Sequence, residues 1–406
     1  MAVVSISIDS VRINQPVPFA LRDSAGMVLV ARGGTIGTEE RRQQLIERGV
    51  FIDISDADAF KKAVAGKMDS MVRGNAKLGL IAKAEDEVDA DAVARNMVTQ
   101  SRARRAEPPP TWDGLAVKMA TALREPSKSD FLERIDNIDD DLLSLLAGGA
   151  DAALLSLIYS ASTETQKYSA RHALLVAVIV ELAARQFDAW PLEWRVPLRK
   201  AAITMNLAMT TLQDQLAMQE SGTSPYQREQ IDKHAKQSAI ALGDLGVTDE
   251  IWLKAVELHH VSPPGPLASM GTAAQLARLI RRADVFAARL SPRRSRHAMT
   301  ATAAARAAYL DENQQTDEAG TAIIKAAGIY PPGCFVKLAT GEIAIVLKRG
   351  VRSNAPLVAS VIGGKGMPLS KPMVRDTRHK ANEVTGTAPP HEVKVRLSVA
   401  ELLQLS

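Results

Sequence analysis

The sequence predicts a mainly α protein: a helical bundle between a small N-terminal α+β module and a small C-terminal β extension. Three observations lead there. In the middle of the chain apolar residues recur at helical spacing. Leu198, Ala202, Met205, Met209, Leu212 and Leu216 step by four and three, the seam of a helix packed on other helices. At the two ends apolar and polar residues alternate as strands do, in VVSISI (3–8) and from Ile343 to Lys348. Breaker-rich stretches, Pro108-Pro109-Pro110 and Tyr330-Pro331-Pro332-Gly333, mark the boundaries.

Composition sets the outer limits. The 406 residues are 46% apolar, enough to bury a real core. Lys and Arg total 50 against 46 Asp and Glu, an excess too small to argue for nucleic acid. One cysteine, Cys334, excludes an internal disulfide and suits a reducing cytoplasm. MAVVSISIDSVRI lacks the basic start and long apolar core of a signal peptide. No apolar run reaches the roughly 20 residues of a membrane span. The expectation is a cytoplasmic protein without a membrane span or a nucleic-acid partner.

Residues 1–56 read as the α+β module. Short strands are expected over Val3 to Ile8, Phe19 to Asp23, Gly26 to Ala31 and Val50 to Ile54. A helix from Thr38 to Gly49 has Thr38 to cap it and Gly49 to end it. Residues 57–115 are a charged, proline-rich linker with a basic run at Arg102 to Arg105, read as solvated charge.

Residues 116–329 read as the helical domain. Helices are expected over Asp130 to Ile138, Asp139 to Leu146 and Asp151 to Ser160. His172 to Phe187 is apolar nearly all round and should be buried. Leu198 to Gln219 is the seam helix. Ser224-Pro225-Tyr226-Gln227 combines a capping box with proline at the first helical position. Helices over Thr248 to His260, Thr272 to Leu290 and Arg293 to Asp311 follow. Residues 330–406 are the β extension, with strands at Phe335 to Leu338, Ile343 to Lys348 and Leu357 to Val361, then a polar tail with a last strand or short helix.

Four of the seven histidines sit at suggestive places in the helical domain: His172, His234, His259 and His260. Helical spacing puts His234 on the buried side of its helix and Asp284 on the apolar stripe Ala273, Ala277, Ile280, Ala287. A buried carboxylate needs a cation, a donor or a metal. Imidazoles and a carboxylate converging from separate helices is how a bundle builds a metal site. Each residue taken singly also has a plainer reading. A lone core histidine is commonly just hydrogen-bonded, paired histidines suit a helix C-terminus, and Asp284 could pair with Arg281 or Arg289.

From about Asp151 to Gly328 the chain resembles the HD-GYP domain, the cyclic di-GMP phosphodiesterase branch of the HD metal-dependent phosphohydrolases. YSARHALLVA is similar to the family's first-histidine helix, carried by His172. AAITMNLAM is similar to the segment with the family's His-Asp pair and, three residues later, its lysine. IDKHAKQSAIALGDLGV corresponds to the third-histidine helix with His234, and WLKAVELHH to the double histidine, His259 and His260. RADVFAARLSPR corresponds to the helix with the last metal aspartate, Asp284, and leads to the phosphate-binding positions Arg293 and Arg296.

The departures are specific. Met205 and Asn206 stand where the resemblance expects His and Asp, and Met209 where it expects Lys. Val261 replaces a glutamate, Ser262-Pro263-Pro264-Gly265-Pro266 replaces the DGxGYP loop, and Tyr168 occupies a position that is glutamate in some members.

Phosphodiester hydrolysis at neutral pH needs a strong nucleophile, which a metal pair supplies by lowering the pKa of water from about 15.7 towards about 7. A neutral amide at 206 bridges two cations poorly, and a thioether at 205 is a soft, weak ligand for such ions. The resemblance therefore implies a pseudoenzyme with no confident catalytic residue, acting by nucleotide or protein binding. The alternative is a divergent phosphodiesterase with an incomplete metal site. His172, His234, His259, His260 and Asp284 are either a relic held by hydrogen bonds or ligands of one divalent ion, Fe, Mn or Zn. Arg281, Arg282, Arg289, Arg293, Arg294 and Arg296 form a basic cluster, either a solvated helix end or an anion site. The implied partners are cyclic di-GMP or another cyclic dinucleotide, a signalling protein, and a second copy of the chain.

Overall fold

The structure, a computed structural model, describes residues 3–5, 13, 17, 19–23, 27–31, 34–53 and 109–406, the last without 262, 264 and 312. Most of the expected linker, Arg102 to Arg105 included, lies outside the described residues. The chain divides into two compact units, Met1–Pro109 and Pro110–Ser406.

In the first unit β1 (Val3–Ser5), β2 (Leu21–Arg22), β3 (Val28–Val30) and β4 (Phe51–Asp53) form an antiparallel sheet in the order β1-β4-β2-β3. Helix α1 (Glu39–Arg48) starts where Thr38 Oγ1 accepts from the Arg41 N–H, and stops at Gly49, whose φ of 71° suits glycine. Phe19, Leu21, Ile36, Leu45 and Ile52 make its core.

The second unit begins with α2 (Trp112–Arg124), α3 (Phe131–Ala147) and α4 (Ala150–Thr163). Its centre is α5 (Tyr168–Ala184), buried on every face as its apolar sequence requires. Around it pack α2, α4, α6 (Arg195–Thr204), α10 (Thr272–Leu290) and α12 (Glu318–Ala327). Between these run α7 (Thr210–Met218), α8 (Pro225–Asp244), α9 (Glu250–Leu258) and α11 (Ala301–Tyr309). Then β5 (Phe335–Leu338), β6 (Ile343–Lys348), β7 (Leu357–Ile362), β8 (Pro368–Asp376) and β9 (Val384–Ala388) form an antiparallel sheet in the order β8-β7-β6-β5-β9, followed by α13 (Val399–Gln404). Phe335, Ile345 and Ala359 of this sheet share an apolar cluster with Leu155 and Tyr159 of α4. Gly333 makes that approach feasible: a Cβ there would meet the Leu155 carbonyl oxygen at 2.7 Å.

Several expected elements are redrawn. Asp139 does not start a helix. It lies buried in the middle of α3, bonded by Arg199 at 2.6 and 2.7 Å. The long seam helix is broken. α6 ends at Thr204, Leu207–Met209 is a single 3-10 turn, and α7 starts at Thr210. Asn206 and Met209 leave helical dihedrals there, with φ of −106° and −120°, while the Ala208 N–H turns to Ser238 Oγ at 3.0 Å. The seam residues stay buried throughout, because periodicity reports which side faces the core and not whether the backbone is continuous.

The helix expected over Arg293 to Asp311 is only α11, capped by Thr300, because residues 293–296 form a tight turn. The tail contains two full strands, β8 and β9, at the sheet's two edges. No single helix among the described residues is long and apolar enough to cross a membrane.

Candidate metal and anion site

The site is built on four helices, α5, α8, α9 and α10, and one turn. Lys167, in the left-handed region at φ 50°, leads into α5. The start of α5 is tied down by Asp214 of α7, which accepts from the Ser169 N–H and hydroxyl, both at 2.9 Å. Arg124 in turn holds Asp214, with Nη2 at 2.6 Å. Sequence reading gave Asp214 no such role, since an aspartate on a helix surface carries no signal that it caps a neighbouring helix.

One turn apart on α5, the rings of Tyr168 and His172 stack at 5.9 Å and 6°. His172 Nε2 donates to Asp284 Oδ1 of α10 at 2.7 Å. Neither Arg281 nor Arg289 takes the partner role considered from sequence. Arg281 instead donates to the His260 carbonyl oxygen at 2.6 Å.

Helix α8 starts at the Ser224–Gln227 capping box and carries His234 inward. The end of α9 brings His259, fully buried, and His260, exposed, beside it. The ligating nitrogens of these three histidines lie within 4.8 Å of one another. Their ring centroids are 4.2 to 5.1 Å apart. The five residues expected to hold metal thus fall into a triad, His234, His259 and His260, and a dyad, His172 and Asp284.

Two of the triad's three rings are oriented by the backbone. His234 Nδ1 donates to the Ile231 carbonyl, and His259 Nδ1 to the Val256 carbonyl at 2.6 Å. A carbonyl oxygen can only accept, so the proton of each neutral ring sits on Nδ1 and the lone pair on Nε2. These two Nε2 atoms face each other at 3.2 Å. Two lone pairs at that distance repel unless a cation lies between them.

A proton is an expensive choice. Burial lowers the pKa of all three histidines, and that of His259 falls to about 3, helped by the neighbouring His260 and His234. A metal ion fits better. Zn–N bonds of about 2.0–2.1 Å place cis or tetrahedral nitrogens roughly 2.9–3.4 Å apart. Asp284 supplies the charge such an ion needs nearby. Burial alone would raise its pKa, but the hydrogen bond from His172, with the electrostatic pull of the His172, His259 and His260 rings, outweighs it and holds the carboxyl below its ordinary value. Its field also favours positive charge at His234 and His260.

Met205, Asn206 and Met209 sit where α6 gives way to α7. Met205 is 1% exposed in the main apolar core, and Met209 packs on Leu212, Leu216 and Ile231. Asn206 is half-buried at the break. Two of the three positions have become packing surface.

The basic cluster is also divided. Arg282 is buried on the far side, bonded with Arg278 to the fully buried Asp317 at 3.1 and 2.8 Å. Asp317 was missed from sequence: its helix-capping position is legible, its role as counter-ion to two α10 arginines is not. Arg294 is exposed, 3.6 Å from Glu220. Arg293 and Arg296 face each other across a two-residue turn, paired N–H to carbonyl at 2.8 and 3.0 Å. The Arg293 guanidinium lies 5.3 Å from the centre of the Tyr168 ring, and the Nε atoms of Arg293 and Arg296 are buried without partners.

No family model matches the chain, and no curated protein matches it. Among solved structures it is similar to an HDG"Y"P protein from Bdellovibrio bacteriovorus, at 13% identity and a TM-score of 0.39, over 80% of this chain and 99% of that chain.

Proposed function

We propose that this chain is a degenerate HD-GYP-like signalling protein of the cytoplasm, impaired as a cyclic di-GMP phosphodiesterase and acting by binding. His234, His259 and His260 hold one divalent cation, and the Arg293–Arg296 turn takes the phosphate of a cyclic dinucleotide or related nucleotide. The observation that carries this reading is the pair of Nε2 atoms 3.2 Å apart, on two rings whose Nδ1 atoms both face backbone carbonyls. Three imidazoles suit zinc or iron. The motif resemblance from His172 to Arg296 supports the substrate class, and the thioether and amide at Met205 and Asn206 support the loss of a second ion.

An ion on three histidines would supply Lewis acidity at its open position. The second reading, a divergent one-metal phosphohydrolase, is favoured by one feature: the ionised Asp284 beside the triad. Metal analysis of anaerobically purified protein tests the cation. About one ion per chain is expected, and less than about 0.1 refutes it. Calorimetric titration with cyclic di-GMP tests the ligand. Hydrolysis of cyclic di-GMP or pGpG that disappears in His259→Ala would replace the binding reading with the enzymatic one.

A further inference from the structure

The corner around Tyr168, Arg293 and Arg296, joined to the triad's neighbour Asp284 through His172, has a chemistry of its own. Three donor-bearing atoms there are buried without partners: Tyr168 Oη, Arg293 Nε and Arg296 Nε. Buried polar atoms are nearly always hydrogen-bonded, so three orphans in one place point to a missing acceptor. Among the described residues neither arginine has a carboxylate partner. Burial lowers the pKa of Arg296, and the nearby Arg293 and Arg289 charges lower it further, while Tyr168 acts in the opposite sense. Arg296 Nη2 donates to the Ala288 and Ser291 carbonyl oxygens, but the three buried atoms have no acceptor and the two guanidinium charges no counter-ion among the described residues.

Tyr168 completes this arrangement. It is 3% exposed, its ring stacks on His172, and Arg293 reaches over the same ring. An acidic side chain at 168 would neutralise the arginines itself. A neutral phenol leaves their charge uncompensated and adds a donor. We propose that the Tyr168 hydroxyl is a ligand-contacting donor that closes, with Arg293 and Arg296, around a phosphate oxyanion, so that this corner takes an anion and not a second cation. This rests on the reading of the pocket as a phosphate-ligand site and names the residue that sets its charge preference. The ligand class is a phosphate ester or phosphodiester, whose oxygens accept from a guanidinium fork and a hydroxyl together.

Calorimetry with inorganic phosphate on the full chain tests it, with metal content and cyclic di-GMP binding measured on the same samples. Tyr168→Phe keeps both ring contacts and removes only the hydroxyl. Its phosphate affinity falls about tenfold, as for one hydrogen bond to a charged group, while bound metal and thermal midpoint stay as in the parent. Tyr168→Glu, which supplies its own carboxylate, abolishes phosphate binding. Arg296→Gln gives a second measure with a similar loss. Unchanged phosphate affinity in Tyr168→Phe, or no phosphate binding by the parent chain, overturns the proposal. Absence of metal with phosphate binding intact would sink the cation reading alone, and absence of cyclic di-GMP binding with phosphate binding intact would sink the dinucleotide alone.

Discussion

His172 and Asp284 hold each other at 2.7 Å between α5 and α10, and that bond uses His172 Nε2, while Nδ1 is buried without a partner. The triad beside them needs no help from His172 to surround an ion. His172→Ala should therefore leave metal content near one ion per chain. His259→Ala should reduce it at least tenfold, because it removes the buried centre of the triad. Metal analysis of the two variants reads this directly, and equal loss in both would mean that the dyad ligates.

Asp284 acts on the cation through charge. Asp284→Asn keeps the shape and the acceptor for His172 but removes the anion. Outer partners of this kind are worth about 10–100-fold in metal affinity. A competition titration with a chelator should show a loss in that range with stoichiometry unchanged.

The break at 205–209 makes a prediction about repair. Met205 is packed in the core and not poised at the pocket, so a histidine there must first be accommodated. On the proposed reading, Asn206→Asp alone should leave cyclic di-GMP turnover undetectable, since one added carboxylate without a histidine at 205 and a lysine at 209 supplies only part of what the HD-GYP resemblance implies. Met205→His with Asn206→Asp and Met209→Lys should raise bound metal above one ion per chain. Turnover in the single variant at a rate matching the triple would show that the amide was the only obstacle.

The helical domain was legible because its helices are amphipathic or wholly apolar, and because caps such as Ser224 and Thr38 announce themselves. The burial of His172 and His234 was legible too, from the apolar sequence around the first and the helical spacing around the second. The division of the site residues into triad and dyad was not. Whether His172 bonds Asp284 or joins the triad depends on how α5 and α10 cross, which no local pattern encodes. The turn at Arg293–Arg296 was hidden for the opposite reason: an arginine-rich run reads as the start of a helix until Pro292 and the Thr300 cap are given weight. The strands β8 and β9 were missed because an edge strand, wet on one side, loses the alternation that marks an inner one, and β8 also carries Pro368 and Pro372.

The scaffold under the site depends on a buried ion network. Arg199 of α6 bonds Asp139 of α3 with two nitrogens and Glu181 of α5 with a third at 3.0 Å, and Arg195 also bonds Glu181. Arg199→Met would strand Asp139 and leave Glu181 to Arg195 and Arg185. Removing one partner of a buried pair costs about 3–5 kcal/mol. The pH dependence carries a sign. Burial alone would raise the pKa of Glu181, but the hydrogen bonds and charges of Arg195 and Arg199 outweigh it and hold the carboxyl below its ordinary value. Its contribution is therefore complete above the ordinary carboxylate range and fades as pH falls through the folded value. The buried histidines act in the same direction at higher pH. They stay neutral in the fold but protonate in the unfolded chain below about pH 6.5, so the metal-free protein should lose stability on acidification from there. Urea midpoints between about pH 7 and pH 3 on metal-free protein should show two limbs. In Arg199→Met the carboxylate limb should move to higher pH while the histidine limb stays in place. A shift of both limbs together would mean that the network and the triad are coupled through α6.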